Sequence, residues 1–176
     1  AEMALLLMLA CLRRLRELDA NVRREGGWQE SWAMQDGFGE LGGKTVGLVG
    51  FGAVPQLLAP WLAALGAKVI YTSRTAKAGA PFPRFGIGEL LAQSDIVSLH
   101  VPLTPDTNSM FDAKALGGMK RGAILVNTAR GALLDESALA DALREGRLAA
   151  AALDECGEEP PRPDHPLLAL PNVVVS

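Results

Sequence analysis

The chain has 176 residues, of which 49% are apolar and 21% charged, and its formal net charge is −3 at pH 7. A chain of this length and apolar content forms one domain with a sizeable core and is not intrinsically disordered. No basic tract marks a nucleic-acid surface, and the apolar run at 3–12 is too short to span a bilayer and is followed, not preceded, by Arg13, Arg14 and Arg16, so it reads as a buried stretch of a soluble helix.

In chain order, a first helix is expected over about 2–24, stopped by Gly26 and Gly27. Residues 28–43, with Trp28, Trp32 and several glycines, read as an irregular connection, and the two tryptophans as interface material. Alternation then begins. A β-rich run at 44–49 precedes a helix at 53–65, whose apolar stripe is Val54, Leu57, Leu58, Trp61, Leu62 and Leu65, closed by Gly66. Pro60 falls inside that stripe, where proline costs about 3 kcal/mol. A strand at 68–72, a short helix at 87–93, a strand at 95–101, a short helix at 113–119 and a strand at 123–127 follow. Asp135 caps the next helix, Leu134 and Leu139 staple its start and Gly146 ends it. Strands at 149–153 and 172–175 complete the series.

Strands alternating with helices at this interval make βαβ units. The expected fold class is α/β: a Rossmann-type doubly wound parallel sheet of about six strands, helices on both faces, preceded by a long N-terminal helix. Residues 1–27 are then a dimer or interdomain element and residues 28–176 the nucleotide-binding domain. Cys11 and Cys156 show no metal-ligand spacing, no metal site is expected, and two thiols in such a core point to the reducing cytoplasm.

The first strand runs into Gly50-Phe51-Gly52-Ala53-Val54-Pro55. A Gly-x-Gly-x-x-Gly loop here turns tightly at the first glycine, brings backbone to a pyrophosphate at the second and packs helix on strand at the third, with the phosphate on free N–H groups at the helix start. This sequence keeps two glycines and has Pro55 at the third place, which a first helical turn tolerates at the loss of one donor. The second strand ends in Tyr71-Thr72-Ser73-Arg74-Thr75 without the carboxylate that receives NAD ribose hydroxyls. Ser73 and Thr75 can donate to a 2′-phosphate and Arg74 can pair with it, so NAD(P) is the expected cofactor with NADP favoured; alternatively Arg74 is merely solvated and both cofactors are accepted.

The segments Ser94-Asp95-Ile96-Val97-Ser98-Leu99-His100-Val101-Pro102-Leu103-Thr104, Met119-Lys120-Arg121-Gly122-Ala123-Ile124-Leu125-Val126-Asn127-Thr128-Ala129-Arg130-Gly131, and Ala151-Ala152-Leu153-Asp154 with Glu159-Pro160 resemble the D-2-hydroxyacid dehydrogenase family. The resemblance implies hydride transfer between nicotinamide and a D-2-hydroxy acid or 2-keto acid, on substrates such as glyoxylate, hydroxypyruvate or phosphoglycerate, in a homodimer. It implies that Arg130 orients the substrate carboxylate, that Glu159 rather than Glu158 pairs with a catalytic histidine, and that Asp154 contacts the nicotinamide side. It gives the cofactor Gly50, Phe51, Gly52, Ala53, Val54, Thr107, Thr128, Ala129 and Arg130, and lines its adenosine pocket with His100, Val101 and Pro102.

The family's catalytic histidine follows the sixth strand, beyond Ser176. His100 and His165 do not fit that role, and His165 reads as structural. The family's substrate domain is not present. The chain opens on Ala1-Glu2 in mid-pattern and closes on Val173-Val174-Val175, so neither end reads as a natural terminus. The expectation is a domain that binds cofactor and by itself turns over nothing. A nicotinamide-sensing module like the C-terminal binding protein corepressors, or a structural Rossmann-like domain with a spoiled loop, remain alternatives.

Overall fold

The computed structural model of the chain describes residues 1–33 and 38–176, without the side chains of residues 30, 32 and 33. Six parallel strands, β1 (Thr45–Val49), β2 (Lys68–Thr72), β3 (Ile96–Leu99), β4 (Ala123–Asn127), β5 (Leu148–Leu153) and β6 (Val173–Val175), form one sheet in the order β2-β1-β3-β4-β5-β6. The order reverses at β1, which has β2 on one side and β3 on the other. A single bridge between Tyr71 and Arg84 extends the outer edge of β2.

The inner strands β1, β3 and β4 are buried on both faces, as a doubly covered parallel sheet requires. Side chains along the sheet alternate between two cores. Leu125, Ala151 and Leu153 join Leu99, Phe111 and Leu139 on one face. Ile124, Val126, Ala150 and Ala152 join Met8, Leu58 and Leu62 on the other. The first face is covered by α5 (Ile87–Gln93), α6 (Ala113–Gly118) and α7 (Glu136–Arg144), the second by α1 (Glu2–Leu12) and α4 (Ala53–Ala64). Asp135 caps α7 as expected, accepting from the N–H groups of Ser137 and Ala138.

The N-terminal region departs from a single helix over 2–24. Helix α1 stops at Leu12, α2 (Leu15–Val22) follows and α3 (Gly27–Ala33) occupies part of the expected irregular connection. The break falls where the apolar sequence ends. Helix α1 buries Ala4, Leu7, Met8 and Cys11, whereas α2 buries none of its residues. Arg14 turns the chain with a φ of 50° and pairs with Glu17 at 2.5 Å. Arg16 then ties the new direction down, its Nη1 donating to the carbonyls of Leu170 and Val173, both at 2.7 Å. Trp28 is exposed, and the side chain of Trp32 lies outside the described residues.

Pro60 does not end α4; it sits on the helix's exposed side, opposite Leu58, Ala59 and Leu62. Among the described residues, no helix is long and apolar enough to cross a membrane.

Candidate cofactor and substrate site

The chemistry-bearing residues gather at the carboxyl edge of the sheet, beside the reversal at β1, where open α/β sheets take ligands. Gly50 leaves β1 with a φ of +95°, a conformation that glycine alone adopts without strain. Gly52 caps α4, and a Cβ built on it would meet nothing within 4 Å, so the turn is open to a bulky group. The first helical hydrogen bond of α4 runs from Gln56 N–H to the Gly52 carbonyl at 3.2 Å. The N–H groups of Ala53 and Val54 therefore have no helical partner, and Pro55, buried just before Gln56, removes no helical bond. These are the features a pyrophosphate needs, with one donor fewer than usual. Gln56 Nε2 steadies the turn by donating to the Phe51 carbonyl at 3.1 Å.

Gly52, Ala53, Val54, His100, Val101, Pro102, Thr128, Ala129 and Arg130 line one cleft of about 470 Å³, together with Pro55 and Leu103. The sequence reading named all of these except Pro55 and Leu103 as site residues, and the fold brings them together. Phe51 is different. Its ring is buried and stacks on Tyr71 at 4.1 Å between centroids, so it supports the loop from the core. His100 sits at the cleft wall with Nε2 2.9 Å from Ser98 Oγ. Burial, with a smaller contribution from the Ala1 ammonium, lowers its pKa to about 4, so it is a neutral imidazole near pH 7.

The end of β2 does not line this cleft. There the Ser73 hydroxyl donates to the Thr75 carbonyl at 2.6 Å. In this arrangement that hydroxyl proton is engaged with the backbone. Arg74 is exposed. Arg84, which the sequence reading passed over, places Nε and Nη2 on the Ser73 carbonyl at 3.0 and 2.8 Å, and Nη2 also reaches the Arg74 carbonyl at 3.3 Å. Thr107 is a loop staple: its Oγ1 donates to the Pro102 carbonyl at 2.8 Å and accepts from Thr104 N–H at 2.8 Å.

At the end of β4 the buried side chain of Asn127 holds the following turn. Its Oδ1 accepts from Ala129 N–H at 3.1 Å and its Nδ2 donates to the Arg130 carbonyl at 2.8 Å. The Arg130 guanidinium is 61% exposed, donates from Nη1 to the Ala129 carbonyl at 2.5 Å and lies 3.4 Å from Glu155 Oε1. It is a fixed but accessible cation at the mouth of the cleft, suited to a carboxylate. Asp154 continues β5: its N–H donates to the Asn127 carbonyl at 2.9 Å and its Oδ1 accepts from Ser176 Oγ at 2.8 Å. The exposed Glu159 accepts from Cys156 N–H at 3.3 Å. Among the described residues, no group of His, Cys, Asp and Glu could hold a metal ion.

A glycine turn at the sheet reversal, free N–H groups at a helix start and a cleft at the carboxyl edge define a dinucleotide-binding domain of the Rossmann type. More narrowly, the chain belongs to the D-isomer-specific 2-hydroxyacid dehydrogenase family, whose NAD-binding-domain model matches residues 5–176. It is 43% identical to a glyoxylate reductase of Aeropyrum pernix, over all of this chain and 55% of that protein. It is 42% identical to a D-3-phosphoglycerate dehydrogenase of Mycobacterium tuberculosis, over all of this chain and 33% of that protein. The chain thus spans about half or less of the length of these relatives.

A crystal structure of a Thermus thermophilus protein superposes with a TM-score of 0.92 at 46% identity, covering 99% of this chain and 55% of that one. A D-lactate dehydrogenase of Lactobacillus jensenii, solved with NAD+, gives 0.88 at 31% identity, covering 99% and 56%. An acyclic imino acid reductase, solved with NADPH and D-Arg, gives 0.87 at 33% identity, covering 99% and 55%.

Proposed function

We propose that this chain is the cofactor-binding part of an enzyme that moves a hydride between nicotinamide and a D-2-hydroxy or 2-keto acid. The observation that carries this reading is the Arg130 guanidinium, accessible and oriented by Ala129 and Asn127 at the edge of the cofactor cleft. The nicotinamide supplies and accepts the hydride. Backbone around Gly50, Gly52, Ala53 and Val54 holds the pyrophosphate, with His100, Val101, Pro102, Thr128 and Ala129 along the cleft walls and Thr107 fixing the loop beside them. Arg130 grips the substrate carboxylate, Asp154 borders the nicotinamide, and Glu159 holds the proton on an acid/base histidine contributed by the part of the whole protein that follows β6. Residues 1–176 alone then bind cofactor without turnover.

The substrate class is a glyoxylate-, hydroxypyruvate- or phosphoglycerate-like acid, in line with the relatives. The cofactor is NADP in preference to NAD, supported by the absence of a carboxylate after β2 and by the exposed Arg74 and Thr75. Residues 28–176 carry the nucleotide-binding loop and cleft, and within residues 1–27 helix α1 packs into the second core while its exposed side serves as a dimer or interdomain element. A homodimer is supported by the exposed apolar side chains Met3, Leu6 and Leu9 on α1 and Val54, Leu57 and Trp61 on α4. No nucleic acid or membrane partner is invoked, and the two free cysteines favour the cytoplasm.

The test is a fluorescence titration with NADPH and NADH at fixed salt. Tighter NADPH binding that Arg74→Ala abolishes supports the cofactor assignment. Equal binding removes the NADP preference, and binding of neither removes the whole reading.

A further inference from the structure

Glu136 is the first residue of α7, but its carboxylate does not serve that helix, which Asp135 already caps. It reaches instead to the loop after β5. Oε1 accepts from Gly157 N–H at 2.9 Å, and Oε2 lies 3.1 Å from His165 Nε2. Leu167 N–H donates to His165 Nδ1 at 3.3 Å, which leaves the ring proton on Nε2 as the donor to Glu136. Leu167 itself is buried in the core. One carboxylate thus fastens both ends of the segment that carries Glu159.

The segment needs such a fastening. Pro160, Pro161, Pro163 and Pro166 lack N–H groups, so the backbone has few donors with which to hold itself in place. The fastened segment also abuts the other side of the site. A Cβ built on Gly131, next to Arg130, would lie 2.0 Å from the Cys156 carbonyl carbon, so the two backbones touch directly.

We propose that Glu136 and His165 are positioning residues for the substrate end of the site. Together they clamp the loop of residues 155–165 against α7, which sets Glu159 and, through Gly131, Arg130. This rests on the reading of Arg130 and Glu159 given above. The clamp acts mainly on the substrate side, because Glu136 and His165 touch none of the residues that line the cofactor cleft and reach only Arg130 at its mouth, by way of Gly131.

The thiol of Cys156, half-buried in this loop, reports its opening, while Cys11 is buried. Burial and the carboxylates of Glu136, Glu159 and Glu155 raise the Cys156 pKa, so changes at His165 rather than at Glu136 leave that thiol's charged surroundings intact. His165→Asn removes the donor to Glu136, and His165→Gln can restore it. In this chain, His165→Asn should speed maleimide labelling of Cys156 and hydrogen exchange at Gly157 by about tenfold, with His165→Gln close to the parent. In the whole protein, His165→Asn should lower kcat by about tenfold, with the dissociation constant for NADPH unchanged and kcat recovered in His165→Gln. Unaltered labelling and exchange in His165→Asn would overturn the clamp, as would a loss of NADPH affinity equal to the loss of kcat. Labelling on the chain decides the clamp even if the whole protein transfers no hydride, an outcome that would count against the proposed function alone.

Discussion

The α-carbon of Gly50 faces the carbonyl of His100 so closely that a Cβ on Gly50 would lie 2.4 Å from that oxygen. The turn after β1 and the end of β3 are therefore packed backbone to backbone, and the cofactor loop depends on both. Gly50→Ala adds this clash to a positive φ, and should cost about 2–4 kcal/mol of stability. Urea unfolding measures the cost, and a nicotinamide fluorescence titration on the folded fraction should show cofactor binding lost.

Asn127 has both ends of its amide engaged within the turn that presents Arg130. Asn127→Ala leaves the part-buried Ala129 N–H and Arg130 carbonyl without their partner and should destabilise by about 1–2 kcal/mol. In the whole protein the substrate KM should rise while cofactor affinity holds. A substrate KM equal to the parent's would show that the turn keeps Arg130 in place without Asn127.

His100 gives a sign to the acid sensitivity of the fold. Its folded pKa of about 4 lies below the ordinary 6.5, so the unfolded chain takes up a proton at pH values where the folded chain refuses it. The resulting stability is fully present above pH 6.5 and is lost as the pH falls toward 4, to a total on the order of 3 kcal/mol. Unfolding free energies at several pH values across that window should fall more steeply for the parent than for His100→Asn.

Arg84 anchors the carbonyls of Ser73 and Arg74 at the end of β2. Arg84→Ala frees that turn and should weaken NADPH and NADH alike by about fivefold, equivalent to roughly 1 kcal/mol. Parallel titrations separate this from Arg74→Ala, which should affect NADPH alone.

Pro60 interrupts the hydrogen-bond ladder of α4 on its exposed side. Pro60→Ala restores the missing donor without touching the core and should stabilise by about 1–3 kcal/mol. The midpoint of urea unfolding is the readout, and a lower midpoint would mean that the proline is needed where it stands.

The six strands, the helices between them and the glycine turn were legible because their signals are local: apolar period, turn residues and caps within a few positions. The N-terminal region misled for the same reason. Residues 15–22 have good helical periodicity, and nothing in that window reports that Arg16 will bind carbonyls at Leu170 and Val173. The site shows the same divide. Of the residues carried by the family motifs, His100, Val101, Pro102, Thr128, Ala129 and Arg130 gathered in one cleft while Asp154 and Glu159 lie outside its lining. Arg84 and Glu136 were passed over, because their partners are ten or more residues away and no spacing rule encodes them. Glu136 and His165 are 29 positions apart. The hydroxyl direction of Ser73 was also beyond reach, since a serine in a turn donates wherever a carbonyl is offered.

The strict alternation of β4 between two cores has a consequence for how this domain can change. All five of its residues are buried, each committed to one side or to the turn at its end. There is no neutral position along it where sequence can drift, so the strand is a fixed rail. Variation in what the protein handles must be carried by the loops after β4 and β5. These can lengthen, shorten or exchange side chains while the rail beneath them stays the same.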